Sequence, residues 1–188
     1  MIEELRSGLK RWTAPHPQWK PEADELDKSY RPVASLVYRA ADTLVFVDPL
    51  VPDELWPALD AEVAEAARPV VVLTTIHWHA RSRDAVVARY DGELDRLPGG
   101  VRSFPAERQQ EVALWLEDAR ALVFGDAVLG DQSGGLRVCP WFKFADERKR
   151  TVEALRPLLE LPIELVLPAH GNVVLEDGRA ALARALDA

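Results

Sequence analysis

Residues 122–130 read LVFGDAVLG, an apolar run that leads directly into a Gly-Asp pair ending at Asp126. Two further apolar runs end in a similar way: VVVLTT leads to His77 and His79, and LVLPA leads to His170. Apolar runs of this length are typical of buried strands, and strand ends hold side chains rigidly at a shared site. Three of the four histidines in the chain therefore lie at predicted strand ends.

The rest of the chain contains both predicted strands and predicted helices, and this combination predicts an α/β layered fold. Runs rich in β-branched and aromatic residues indicate strands, and apolar residues at helical spacing indicate helices. No Gly-rich turn follows the first predicted strand, so dinucleotide and P-loop sites lack their signature. The predicted strands cover about 33–40, 43–49, 69–75, 111–117, 120–125 and 163–168. The predicted helices cover about 53–67, a short stretch within 81–90, 146–161 and the last residues. Asp53 is the predicted cap of the first helix.

The N-terminal part is interrupted by prolines and carries Trp12 and Trp19. Proline removes a backbone donor, and a tryptophan can anchor a segment through its apolar ring. We therefore expect residues 1–32 to form an extended arm on the surface of a single domain spanning residues 1–188.

Composition excludes several classes of protein. The chain of 188 residues is 48% apolar, which is enough to bury a core and argues against disorder. A single cysteine, Cys139, excludes a disulfide scaffold, and a net charge of −8 argues against a nucleic-acid partner. There is neither a bilayer-spanning apolar run nor a signal-peptide core, so we expect a cytoplasmic protein without a membrane partner. A small-molecule substrate and a possible homodimer complete these expectations.

His77 and His79 are two residues apart, so an extended backbone would put both imidazoles on one side and Trp78 on the other. Two converging imidazoles suit zinc or iron. The same pair could also end a strand without binding an ion. Asp126 alone fits a turn or a helix cap equally well.

The order of these motifs resembles the metallo-β-lactamase fold superfamily: strand–His-x-His, strand–Gly-Asp, and strand–Pro-x-His-Gly. Val47-Asp48-Pro49 is also similar to an Asp-bearing turn of that family, so the resemblance covers about residues 33–172. The resemblance implies an αββα sandwich of two mixed sheets flanked by helices, with a metal site at the edge between the sheets. It also implies that His77, His79 and Asp126 are ligands of a first metal.

The chain departs from the family pattern at three ligand positions. Arg81 and Ser82 stand where the resemblance places an aspartate and a histidine of a second metal site. By register on the strand EVALWL, Glu107 replaces the third histidine of the first site. Asp126 and His170 alone remain of the second site. We therefore expect one zinc or iron ion at most.

Three functional hypotheses remain open. The first is a one-metal hydrolase for an ester, thioester, amide or phosphoester, with Asp126 and His170 catalytic and His170 as proton carrier. The second is a metal-free relic that serves as a binding or assembly module. The third is an iron oxygenase similar to persulfide dioxygenases. We predict further that His170 lies near Asp126, and that Arg81 pairs with Asp126 or Glu107.

Overall fold

A computed structural model of the protein describes residues 1–17, 31–131, 133–142 and 144–188. The described chain divides into two compact units. The first unit comprises Met1–Thr74 and Trp78–Val101, and the second comprises Thr75–His77 and Arg102–Ala188. The single domain expected for residues 1–188 stays a prediction.

A six-stranded mixed sheet forms the centre of the first unit, with the strands in sequence order. Strands β1 to β4 pair antiparallel with their neighbours, whereas β4, β5 and β6 run parallel. The strands are β1 (Glu3–Arg6), β2 (Leu9–Pro15), β3 (Pro32–Arg39), β4 (Leu44–Val47), β5 (Val70–Leu73) and β6 (Glu93–Leu94).

Two helices, α1 (Trp56–Ala66) and α2 (Arg83–Tyr90), supply apolar side chains to the core of this unit. Phe46 of β4 lies at the centre of that core, edge-on to Trp12 and stacked on Tyr90. A 3-10 turn, Asp53–Leu55, precedes α1. The prediction that Asp53 caps this helix is wrong, because the cap positions are Pro52 and Leu55 and neither makes a side-chain cap bond.

The predicted N-terminal surface arm is also wrong over its described part. Residues 9–15 form β2, which pairs with β3 along its whole length. Trp12 is buried, and its Nε1 donates a hydrogen bond to the carbonyl of Leu50 at 2.8 Å. Pro15 and Pro32 face each other at the strand ends, where a missing donor does not interrupt the ladder. Trp19 lies outside the described residues.

A four-stranded mixed sheet in the order β12-β9-β8-β7 forms the second unit. β8 and β9 are antiparallel, whereas β9 and β12 are parallel. A two-stranded ribbon and two helices accompany the sheet, and α3 continues as a 3-10 helix over Arg156–Glu160. The elements are β7 (Val101–Pro105), β8 (Val112–Leu116), β9 (Ala121–Phe124), β10 (Val128–Gly130), β11 (Leu136–Val138), α3 (Ala145–Leu155), β12 (Leu165–Pro168) and α4 (Gly178–Asp187).

The predicted fold class is confirmed: the chain is α/β, with two mixed sheets and accompanying helices. Each of the six predicted strands has a counterpart, namely β3, β4, β5, β8, β9 and β12. The helix predicted over 146–161 ends as an α-helix at Leu155, because Pro157 cannot continue the hydrogen-bond pattern. Over the residues that the structure describes, we find no helix with the length and apolar character needed to cross a membrane.

Candidate functional site

The parallel pairing of β9 and β12 brings two polar side chains together in the second unit. Phe124 lies opposite Pro168 in the register, and the N–H of Ala169 donates to the Phe124 carbonyl at 2.9 Å. The residues that follow each strand, Asp126 and His170, therefore leave the sheet at the same edge. Their side chains are buried, with His170 Nε2 3.3 Å from Asp126 Oδ1. The predicted proximity of these two residues is confirmed.

Direct backbone contact fixes the segment that carries His170. The N–H of Gly130 donates to the His170 carbonyl at 2.9 Å. A Cβ atom added at Gly130 would lie only 1.9 Å from the carbonyl oxygen of Asn172. Gly171 has a φ of +83°, a left-handed conformation that glycine adopts without strain. Glycine at these two positions lets the backbone at Gly130 touch the backbone at Gly171 and Asn172, and this contact fixes the position of His170.

A buried carboxylate, Glu111, holds the turn that carries Asp126. Its Oε1 accepts the N–H groups of Asp126 and Ala127, each at 2.8 Å. The pKa of the Glu111 carboxyl is raised to about 7, chiefly by burial and also by the nearby Asp126 carboxylate. The two backbone donors and Arg108 act in the opposite direction. Glu111 thus orients Asp126 by accepting hydrogen bonds from the backbone of the Asp126 turn. The same arrangement buries a second acid, Glu111, next to the Asp126 carboxylate.

A buried guanidinium, that of Arg108, lies between the two acids. Its Nη1 is 3.5 Å from Asp126 Oδ2 and 3.6 Å from Glu111 Oε2. Only 4% of Arg108 is exposed to solvent. Glu107, by contrast, is exposed and has a φ of +53°. The structure therefore differs from the register that put Glu107 at this place, because the acid beside Asp126 is Glu111.

Sequence reasoning missed Arg108 and Glu111, although one signal pointed to Glu111. It directly precedes the apolar strand β8, just as Asp126 and His170 closely follow β9 and β12. A polar residue at the start of a buried strand is held as rigidly as one at its end. Arg108 carries no comparable signal, since its segment has the composition of an ordinary polar loop.

In the first unit, His79 pairs with Asp48. His79 Nδ1 is 2.9 Å from Asp48 Oδ2, and both side chains are buried. The Val47-Asp48-Pro49 turn thus places a carboxylate on His79, one of the predicted ligands. A carboxylate on one ring nitrogen fixes the ring orientation and makes the other nitrogen, Nε2, a better metal ligand.

Arg81 and Ser82 hold the turn that carries Asp48. Arg81 Nη1 donates to the carbonyls of Ala34 and Asp48, at 3.2 and 3.1 Å. The Ser82 hydroxyl accepts the N–H of Val51 at 3.0 Å. These contacts give both replacement residues a supporting role in the first unit. The predicted pairing of Arg81 with Asp126 or Glu107 stays a prediction.

His77 and His79 are not arranged as the sequence predicted. The segment His77–Ala80 is a 3-10 helix and not an extended strand end. With three residues per turn, side chains two positions apart leave a 3-10 helix in different directions. His77 is accordingly exposed, whereas His79 is buried. The expectation of two imidazoles on one side is therefore wrong.

Comparison with solved structures places this fold among known ones, although no protein-family model and no curated protein sequence matches the chain. Similar structures include VMB-1, with a TM-score of 0.66 and 11% identity over 100% of this chain and 94% of that chain. A metallo-β-lactamase from Erythrobacter litoralis has a TM-score of 0.63 and 14% identity, over 99% of this chain and 90% of that chain. DIM-1 metallo-β-lactamase has a TM-score of 0.61 and 14% identity, over 100% of this chain and 96% of that chain. The chain has the metallo-β-lactamase fold. This likeness establishes the fold alone.

Within this metallo-β-lactamase fold, the donor chemistry fits a metal ion. Three buried residues, His79, Asp126 and His170, offer ligand atoms of the kinds that zinc and iron take. His79 has the carboxylate support that metal-bound histidines commonly show. One feature of the second unit opposes a dication, namely the positive charge of Arg108 next to Asp126.

Proposed function

We propose that this chain is a metal-dependent hydrolase with one ion, held by His79, Asp126 and His170. The observation that carries the proposal is the buried pair of His79 Nδ1 and Asp48 Oδ2, at 2.9 Å. A carboxylate behind a histidine fixes the tautomer that leaves Nε2 as a lone-pair donor. The exposed His77 is not included in this ligand set.

The bound ion would polarise a substrate carbonyl or phosphoryl group and lower the pKa of a water molecule. The chain's own residues supply the supporting chemistry. Asp48 keeps the proton on His79 Nδ1. Glu111 fixes the backbone at Asp126, and burial excludes bulk water from that carboxylate. The substrate class remains as broad as the sequence predicted: an ester, thioester, amide or phosphoester.

The proposal assigns His170 a ligand role in place of the proton-carrier role suggested by the sequence. His170 presents Nε2 to Asp126, at 3.3 Å from Oδ1. One nitrogen cannot bind an ion and exchange a proton in the same step. Its nearness to the carboxylate, another donor that zinc and iron accept, favours the ligand role.

Metal analysis with a matched pair of variants tests the proposal. Untagged protein is equilibrated with zinc or ferrous iron, and the ion bound per chain is measured by mass spectrometry. We expect His79→Ala to lose most of the bound metal and the exposed His77→Ala to retain it. Equal retention in both variants contradicts the assignment of His79, and equal loss restores His77 as a ligand.

A second candidate is a metal-free binding or assembly module. The observation that favours it is Arg108, whose guanidinium already neutralises charge beside Asp126. Wild-type protein that binds neither zinc nor iron under these conditions would establish this candidate over the hydrolase. Selective retention of iron, with no hydrolysis of ester, thioester, amide or phosphoester probes, would instead favour the oxygenase hypothesis.

A further inference from the structure

The two oxygens of Asp126 face different partners. Oδ1 faces His170 Nε2 at 3.3 Å, and Oδ2 faces Arg108 Nη1 at 3.5 Å. A carboxylate can bridge two cations, one through each oxygen. In this protein, the Oδ2 side of Asp126 faces a cation of the chain itself, the guanidinium of Arg108.

The position of Arg108 is built into the second unit. Glu111 shares its two oxygens between two tasks: Oε1 accepts the backbone N–H groups of Asp126 and Ala127, and Oε2 faces Arg108 Nη1 at 3.6 Å. Arg108, Glu111 and Asp126 are each less than a tenth exposed. A buried charge requires opposite charge nearby, and a guanidinium keeps its charge at every physiological pH.

We propose that Arg108 is a permanent internal cation that takes the place of a metal ion at Oδ2 of Asp126. Glu111 is the positioning residue that holds it there. The buried carboxylate is thereby neutralised whether or not an ion is present, while its Oδ1 faces His170 Nε2. The inference goes beyond the proposed hydrolase and does not require its metal.

A double-mutant cycle in excess chelator tests the pairing of Arg108 with Asp126. Thermal unfolding is measured for wild type, Arg108→Gln, Asp126→Asn and the double variant. We expect Arg108→Gln to lower Tm by roughly 10 °C in the wild-type background and by less than half of that in the Asp126→Asn background, where the carboxylate charge is absent. Equal losses in the two backgrounds overturn the proposal.

Two further variants keep the test decisive. Arg108→Lys retains a positive charge and should recover part of the lost Tm. Arg156→Gln removes an arginine from an exposed pair with Asp187, 2.9 Å apart, and should change Tm by no more than about 2 °C. If Arg108→Gln is too unstable to purify, the double variant should restore folded protein. Failure to restore it overturns the proposal.

Zinc titration separates this inference from the proposed function. Removing a fixed positive charge beside Asp126 should tighten zinc binding by about tenfold or more in Arg108→Gln. Unchanged zinc affinity in a folded Arg108→Gln protein contradicts the claim that Arg108 occupies a metal position. If neither protein binds zinc or ferrous iron, the proposed hydrolase fails, and the coupling of Tm values alone decides whether Arg108 neutralises Asp126.

Discussion

The surroundings of His79 and of Asp126 differ in the kind of contact that holds them. Around His79, the acid Asp48 contacts the ring, and hydrogen bonds between backbone groups and the side chains of Ser35, Ser82 and Arg81 fix that acid's turn. Asp126 itself is buried together with a second acid, Glu111, and with the guanidinium of Arg108, which faces both carboxylates. The first arrangement depends on hydrogen-bond geometry, and the second depends on charge balance.

The difference has a consequence for mutational sensitivity. A hydrogen-bonded turn loses about 1 kcal/mol for each contact removed, because water can replace part of the interaction. A buried charge cluster loses more, because removing its guanidinium leaves both acids uncompensated, and removing Glu111 leaves two buried backbone N–H groups without their acceptor. We therefore expect the second unit to be the more fragile of the two, and the following predictions address that ranking.

The largest effect is expected at Gly130, behind His170. Gly130→Ala would place a Cβ atom 1.9 Å from the Asn172 carbonyl oxygen, and a backbone atom cannot rotate away. We expect a loss of more than about 3 kcal/mol in the free energy of unfolding, or no folded protein. Gly99→Ala is the control, since its Cβ meets open space. Chemical denaturation measures both, and a stable Gly130→Ala protein would contradict the described contact.

Glu111→Ala should have the next largest effect. It removes the acceptor of two backbone N–H groups and one of the acids that face Arg108. We expect a loss of about 2–3 kcal/mol in the free energy of unfolding. The control is Glu107→Ala, which should be close to neutral because that side chain is exposed. A larger effect at Glu107 than at Glu111 would reinstate the register inferred from the sequence.

Asp48→Asn tests the support of His79. Asparagine tolerates the φ of +48° at this position, so the turn is retained while the charge is lost. We expect the free energy of unfolding to fall by about 1–2 kcal/mol, and metal affinity to fall about 10- to 100-fold. Calorimetric zinc titration measures the second value. An unchanged affinity would show that Asp48 plays no part in metal binding.

Ser82→Ala probes the hydrogen bond that Ser82 accepts from the N–H of Val51. We expect a loss of about 1 kcal/mol in the free energy of unfolding. Ser103→Ala, at an exposed position of β7, provides the comparison. A loss as large as that of Glu111→Ala would mean that the two surroundings do not differ in fragility.

The smallest effect is expected at an exposed charge network in the first unit. Two hydrogen bonds from Arg89 lower the pKa of Asp60 to about 2, with a further bond from Tyr90. The stabilisation from this ionised acid is present above its unfolded pKa of about 3.8 and is lost as pH falls through about 2. Asp60→Asn should therefore slightly flatten the fall in Tm between pH 4 and pH 2 (roughly its titration range). A Tm difference from wild type that stays constant across this range would contradict the assignment.

Sequence reasoning locates the strands and the residues at their ends, because buried strands and their polar exits are encoded locally. The apolar runs predict β9 and β12, and the parallel pairing of those strands then brings Asp126 to His170. The Asp48 turn is recognised through the resemblance of Val47-Asp48-Pro49 to a turn of the metallo-β-lactamase fold superfamily. Each of these features depends on a few consecutive residues.

The segment before β8 could not be predicted, because its backbone departs from regular geometry. Glu107, Gln109 and Gln110 all have positive φ values, between +47° and +63°. Residues with side chains seldom adopt that conformation, and nothing in their sequence announces it. A shift of one position exchanges the buried side chain for the exposed one, so the register selects Glu107 where the structure buries Arg108 and Glu111.

The sheet order of the second unit also bears on how the chain is made. β9 lies between β8 and β12, yet the ribosome produces β10, β11 and α3 before it reaches β12. During translation, β9 thus has one unpaired edge, and an unpaired edge is where nascent chains associate with one another. His170 can therefore approach Asp126 only after β12 has been synthesised and covers that edge.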